Sequence, residues 1–123
     1  MAVLSSATKT RIDILSTTDY SYDHLRIHND TAYFYNNYSG GPVKTYNTLT
    51  HTGISDNFIT DGTVVTTPYG VNIDAKGDVY IADAGDFSTT PGIITCFNKN
   101  GVKKFSFSVA PAINPNTIVF VNR

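Results

Sequence analysis

Between residues 71 and 109, apolar and polar positions alternate in short runs, each closed by a turn signal. Val71 and Ile73 alternate with Asn72 and Asp74, the period-two signature of a strand with two unlike faces. Lys76-Gly77-Asp78 supplies a tight turn, and Val79-Tyr80-Ile81-Ala82 returns as a second strand. A loop with Gly85, Pro91 and Gly92 leads into a third strand, Ile93 to Phe97. Asn98-Lys99-Asn100-Gly101 then turns the chain into a fourth, Val102 to Val109. Short connections between consecutive strands predict an antiparallel meander.

The earlier half repeats this pattern. Leu25-Arg26-Ile27 matches Val71-Asn72-Ile73 at an offset of 46, and Ala32-Tyr33-Phe34-Tyr35 matches Val79-Tyr80-Ile81-Ala82 at 47. Val43 to Asn47 matches Ile94 to Asn98 at 51, and Ser55 to Val65 is read as the fourth strand of the first copy. Two four-stranded units are therefore expected, one over 22–65 and one over 66–109. Thr8 to Ser16, where Ile12 and Ile14 alternate with polar residues, reads as a strand left over from a preceding unit within segment 1–21. Ile118 to Val121 reads as a strand that follows the second unit, within segment 110–123.

Composition agrees with an all-β chain. Val, Ile, Tyr, Phe and Thr supply close to half of the 123 residues, Glu and Gln are absent, and strong helix formers are scarce. A net charge of −1, with the basic residues scattered, argues against a polyanion-binding surface and so against nucleic acid. No apolar run approaches the roughly 20 residues of a membrane span, and the first residues lack the basic start of a signal peptide. The single Cys96 cannot form an internal disulfide.

A four-stranded repeat of 46 to 51 residues lies in the range of β-propeller blades. The stretch from Pro68 to Asp83 resembles the NHL/YVTN-type propeller repeat, with Pro68, Gly70, Val71, Ile73, Asp74, Gly77, Val79, Tyr80, Ile81 and Asp83 at the motif's fixed positions. With the Asp83-Ala84-Gly85-Asp86 loop and Ile113-Asn114-Pro115, it is similar to the C-terminal blades of exported Bacteroidetes propeller proteins of unknown function. The likeness covers residues 68–120 best and 22–65 less well, where the Pro-x-Gly start is missing and Asn36 stands where the second copy has Asp83. It implies an exported, periplasmic or cell-surface setting. Propellers close with about four to eight blades, so two blades imply an incomplete ring that needs missing blades or further copies of itself.

Candidate chemistry is sparse. His24, Arg26 and His28 fall on one face of a strand, but on a strand the two histidines stand roughly 13 Å apart, too far for one ion. Asp74, Asp78, Asp83 and Asp86 cluster around the second unit's hairpin. Converging carboxylates could hold calcium or work as an acid and base, yet Asp beside tight turns caps backbone amides, and no Glu is present to close a calcium loop. Cys96, mid-strand, reads as a buried small hydrophobe rather than a nucleophile. Tyr20, Tyr22, Tyr33, Phe34, Tyr35, Tyr38 and Tyr46 could form a sugar- or peptide-binding rim, or fill the wedge between blades. Tyr38 in its Gly-Gly-Pro loop, Asp83 and Asp86 are the candidate ligand-binding residues. Pro68, Gly70, Asp74, Gly77 and Tyr80 are structural.

The expectation is a non-enzymatic binding or scaffold module with no cofactor, taking a carbohydrate or peptide ligand and oligomerising through open blade faces. The first unit's aromatic outer face is the expected contact. One alternative, implied by the family, is part of a metal-dependent enzyme with its site in the central channel. A second is a self-assembling structural unit.

Overall fold

A computed structural model describes residues 2–4, 11–14, 24–35 and 41–121. Tyr20, Tyr22, Asp23 and Tyr38 lie outside them. All ten described elements are strands: β1 (Ala2–Leu4), β2 (Arg11–Ile14), β3 (His24–His28), β4 (Thr31–Tyr35), β5 (Lys44–Asn47), β6 (Thr52–Ser55), β7 (Pro68–Ile73), β8 (Val79–Asp83), β9 (Ile93–Phe97) and β10 (Lys103–Ser108). They form two antiparallel meanders, β3-β4-β5-β6 and β7-β8-β9-β10, and a two-stranded ribbon in which β2 pairs with β1. The alternation at Ile12 and Ile14 predicts β2, whereas its pairing with a strand at residues 2–4 has no signal in the sequence.

Register follows from the alternation. Val71 pairs with Ile81 and Ile73 with Val79, and Val79 continues onto Phe97. The pairs alternate along the ladder and stack the apolar residues of β7, β8 and β9 against one another. The β7–β8 turn is tied by Asp74, whose Oδ1 accepts from Lys76 N and Asp78 N, while Gly77 takes a φ of 86° that side chains resist. In the first sheet Leu25 pairs with Phe34 and Arg26 with Tyr33, which puts Tyr33 and Tyr35 on one face and Ala32 and Phe34 on the other.

The sheets meet through their first strands. β7 packs on β3 and β4, whereas no described contact joins β6 to β10, so the pair opens like a fan. Tyr33 and Tyr35 from one side and Val71, Val79, Ile81 and Phe97 from the other form the core of this seam. Each such fully buried apolar side chain contributes about 1.5–3 kcal/mol.

The wedge is filled by the connection 56–67, and here the structure corrects the expected strand over 55–65. The fourth strand is Thr52–Ser55. Beyond it the backbone is irregular because its side chains bind backbone at close range. Asn57 Oδ1 accepts from Ile59 N, Asp61 Oδ1 from Thr63 N, and Gly62 has a φ of 79°. The connection is pinned to both units: Phe58 N donates to Val43 O, and Thr60 N to Gly101 O. Lys103 N donates to Asp61 Oδ2. The Phe58 ring stands edge-on to both Tyr33 (centroids 5.4 Å) and Phe97 (6.0 Å). A β-carbon added at Gly101 would overlap Phe58 O, so this positive-φ glycine is also a packing requirement.

The expected strand at Ile118–Val121 is also corrected. Residues 114–121 form no ladder; Asn72 reaches across with its side chain instead, and its Nδ2 donates to Ile118 O at 2.6 Å. The segment still lies along β7: a β-carbon at Gly70 would sit 2.6 Å from Asn116 O, which explains why glycine is needed there.

Face by face, the two units match under the sequence offsets. Tyr33 corresponds to Tyr80 and Phe34 to Ile81. Tyr33 faces the seam forwards while Ile81 faces it backwards, so each unit presents one face ahead and the opposite face behind. That is the relation of successive steps around an axis, not of two sheets in a sandwich.

Candidate functional site

The forward face of the second sheet corresponds to the face that the first unit buries in the seam. It carries Tyr80 from β8, Ile94 and Cys96 from β9, and Phe105 and Phe107 from β10, since Phe105 pairs with Cys96 and Phe107 with Ile94. Phe105 is 46 % exposed and Phe107 50 %. Tyr80 gathers the rings, with its centroid 6.2 Å from Phe105 and 4.9 Å from Phe120, and Phe105 stacks on Phe107 at 6.5 Å. Phe120 is itself 41 % exposed. Isolated exposed apolar residues are ordinary, but contiguous aromatics on one sheet face mark a contact surface.

This places the accessible aromatics differently from expectation. The first unit's Tyr33, Phe34, Tyr35 and Tyr46 are all buried, so they are not an available contact surface. The wedge-filling alternative holds for Tyr33 and Tyr35, which belong to the seam core. The signal for this exposed face is present in the sequence as Phe105-Ser106-Phe107, an alternating aromatic pair. Choosing its side requires the β9–β10 register.

Beneath the rings the chemistry is that of packing. Cys96 is a free, buried thiol, and burial pushes its pKa up, away from the reactive thiolate. Tyr80 is pushed up to about 12, first by burial and then by its hydrogen bond with Cys96. Both groups stay neutral near pH 7. Asp74 and Asp78 sit at the turn end, and Asp78 also pairs with Lys104 Nζ.

Asp83 and Asp86 organise the opposite end. Asp83 Oδ1 accepts from Thr67 N and Gly85 N, and its Oδ2 accepts from Thr66 N, all at 2.8–2.9 Å. One carboxylate thus stitches the start of β7 to the end of β8. Asp86 Oδ1 accepts from the amides of Ser88, Thr89 and Thr90, and its Oδ2 from the Thr89 hydroxyl. These bonds, the Thr89 hydroxyl foremost, hold its carboxyl far below the usual range. They also support Phe87 at a φ of 62°, with its ring edge-on to Tyr69 at 5.1 Å. The capping role read for aspartates beside turns accounts for all these contacts.

The histidines do not converge. His24 stacks on Tyr35 with centroids 5.2 Å apart and planes 5° from parallel, while His28 reaches the β7–β8 turn. Among the described residues no group of three or more His, Cys, Asp or Glu side chains could hold a metal ion. No helix among the described residues is long and apolar enough to cross a membrane. No protein-family model matches the chain, and no curated protein matches it either.

Proposed function

We propose that the chain is a non-enzymatic binding or scaffold module of NHL/YVTN type, a run of β-propeller blades whose forward face receives a further blade. That blade comes from a longer polypeptide or from another copy of the chain. By its resemblance, the setting is an exported bacterial protein.

The observation that carries this reading is the equivalence of the open face of β8–β10 with the face the first unit buries. Residues 115–121 add to it. At an offset of 47, Ile118 and Phe120 fall on Val71 and Ile73. The segment lies along β7, as β7 lies against β3. It takes the place of a third blade's inner strand, unpaired because no second strand lies beside it among the described residues.

Light scattering tests the reading. The chain is expected to associate at micromolar concentration, and replacing both Phe105 and Phe107 by Ser is expected to return it to 13.4 kDa. Association unchanged in the double variant, or a native chain monomeric throughout, counts against it.

A further inference from the structure

At the turn end of the seam, where the two units diverge, a cleft of about 430 Å³ opens between the β3–β4, β7–β8 and β9–β10 turns. Three basic side chains line it, each from a different segment: His28 at the end of β3, Lys76 in the β7–β8 turn and Lys99 in the β9–β10 turn. Thr31, Asn100 and Tyr33 add neutral side chains that can hydrogen-bond. Among the described residues no acidic side chain lines the cleft.

The acids of the β7–β8 turn are engaged elsewhere. Asp74 Oδ1 accepts from Lys76 N and Asp78 N, and Asp78 pairs with Lys104. Asp30, on the β3–β4 turn, is exposed and outside the lining. The ion pairs among the described residues are Lys44–Asp56 and Lys104–Asp78, which leaves the amines of Lys76 and Lys99 without a carboxylate partner there. A chain of net charge −1 therefore concentrates unpaired positive charge in one concave place.

We propose that this cleft binds a small organic anion of sugar size, with its carboxylate or phosphate held by Lys76 and Lys99 and its neutral body by Thr31, Asn100 and Tyr33. Charge selects an anion, because two ammonium groups facing one cavity repel until a negative group sits between them. Volume selects the body: the cleft falls in the range of small-molecule sites and far exceeds an inorganic ion. The wall chemistry fits hydroxyl groups, since Thr, Asn and Tyr both donate and accept. Burial raises the Tyr33 pKa, which keeps its hydroxyl protonated as a donor. Two units meeting at a seam are needed to build the site, for His28, Thr31 and Tyr33 belong to the first and Lys76, Lys99 and Asn100 to the second. The cleft does not depend on a third blade, since this seam lies within the chain.

Calorimetric titration of the full chain with glucose 6-phosphate, glucuronate and glucose tests it. Saturable binding of either anionic sugar, with glucose failing to bind, is the expected result. Which of the two binds tells phosphate from carboxylate. Lys76→Gln with Lys99→Gln should weaken that binding about tenfold or more, the loss of a charge-assisted contact, while the far-ultraviolet spectrum stays native. Equal binding of glucose, no saturable binding of either anion, or an unchanged affinity in the natively folded double variant would overturn the proposal.

Discussion

Ile81 is a fully buried side chain of β8 at the centre of the seam core, and its truncation has no solvent to fill the space. Ile81→Ala should cost about 2–5 kcal/mol, read as a lowered denaturant midpoint at constant slope. Ile73, half-buried at the end of β7, should cost less. A midpoint unmoved by Ile81→Ala would show that β8 is not in the core. Tyr80 gives a second residue-scale test through pH. Its folded pKa, at about 12, is above the ordinary value of 10.0. The unfolded chain therefore loses the proton first, and the stability from keeping Tyr80 neutral, complete below pH 10, declines as pH rises towards 12. Tyr80→Phe should alter the stability profile across that window. A profile of the same shape in the variant would assign the effect to other tyrosines.

At the scale of the element, the second meander is legible in the sequence almost strand for strand. Its apolar period, its glycine turns and its aspartates agree with one another from Pro68 to Ser108. The connection 56–67 is not legible, because Phe58 and Ile59 look like strand residues while Asn57 and Asp61 divert the backbone only by hydrogen bonds that need three dimensions. Segment 115–121 fails for the complementary reason: its sequence suits a strand, but a strand needs a partner, and its contacts with the second sheet include the Asn72 side chain, the approach of Asn116 O to Gly70 and ring packing rather than a ladder. The seam cleft is invisible too, since Lys76 and Lys99 are 23 positions apart and come together only once β8 and β9 pair. The link between β7 and β8 yields a prediction of its own. Asp83→Ala strips the acceptor from three backbone amides, and a charged hydrogen bond contributes about 1.5–3 kcal/mol. The variant should lose at least that much stability and expose the amides of Thr66, Thr67 and Gly85 to fast hydrogen exchange. Protection unchanged at those amides would show that the carboxylate does not hold this end together.

For the whole molecule, everything turns on two like units meeting forward face to backward face, with Phe58 wedged between. The open aromatic face acquires its meaning from that relation, and the anion cleft acquires its walls from it. Nuclear Overhauser contacts among aromatic and methyl protons test it most directly. The result expected is cross-peaks from the Phe58 ring to both Tyr33 and Phe97, together with contacts joining Tyr33 or Tyr35 to the Val71–Ile81 core of the second sheet. Strong contacts within each meander but none from Phe58 to either side, and none between the sheets, would contradict it.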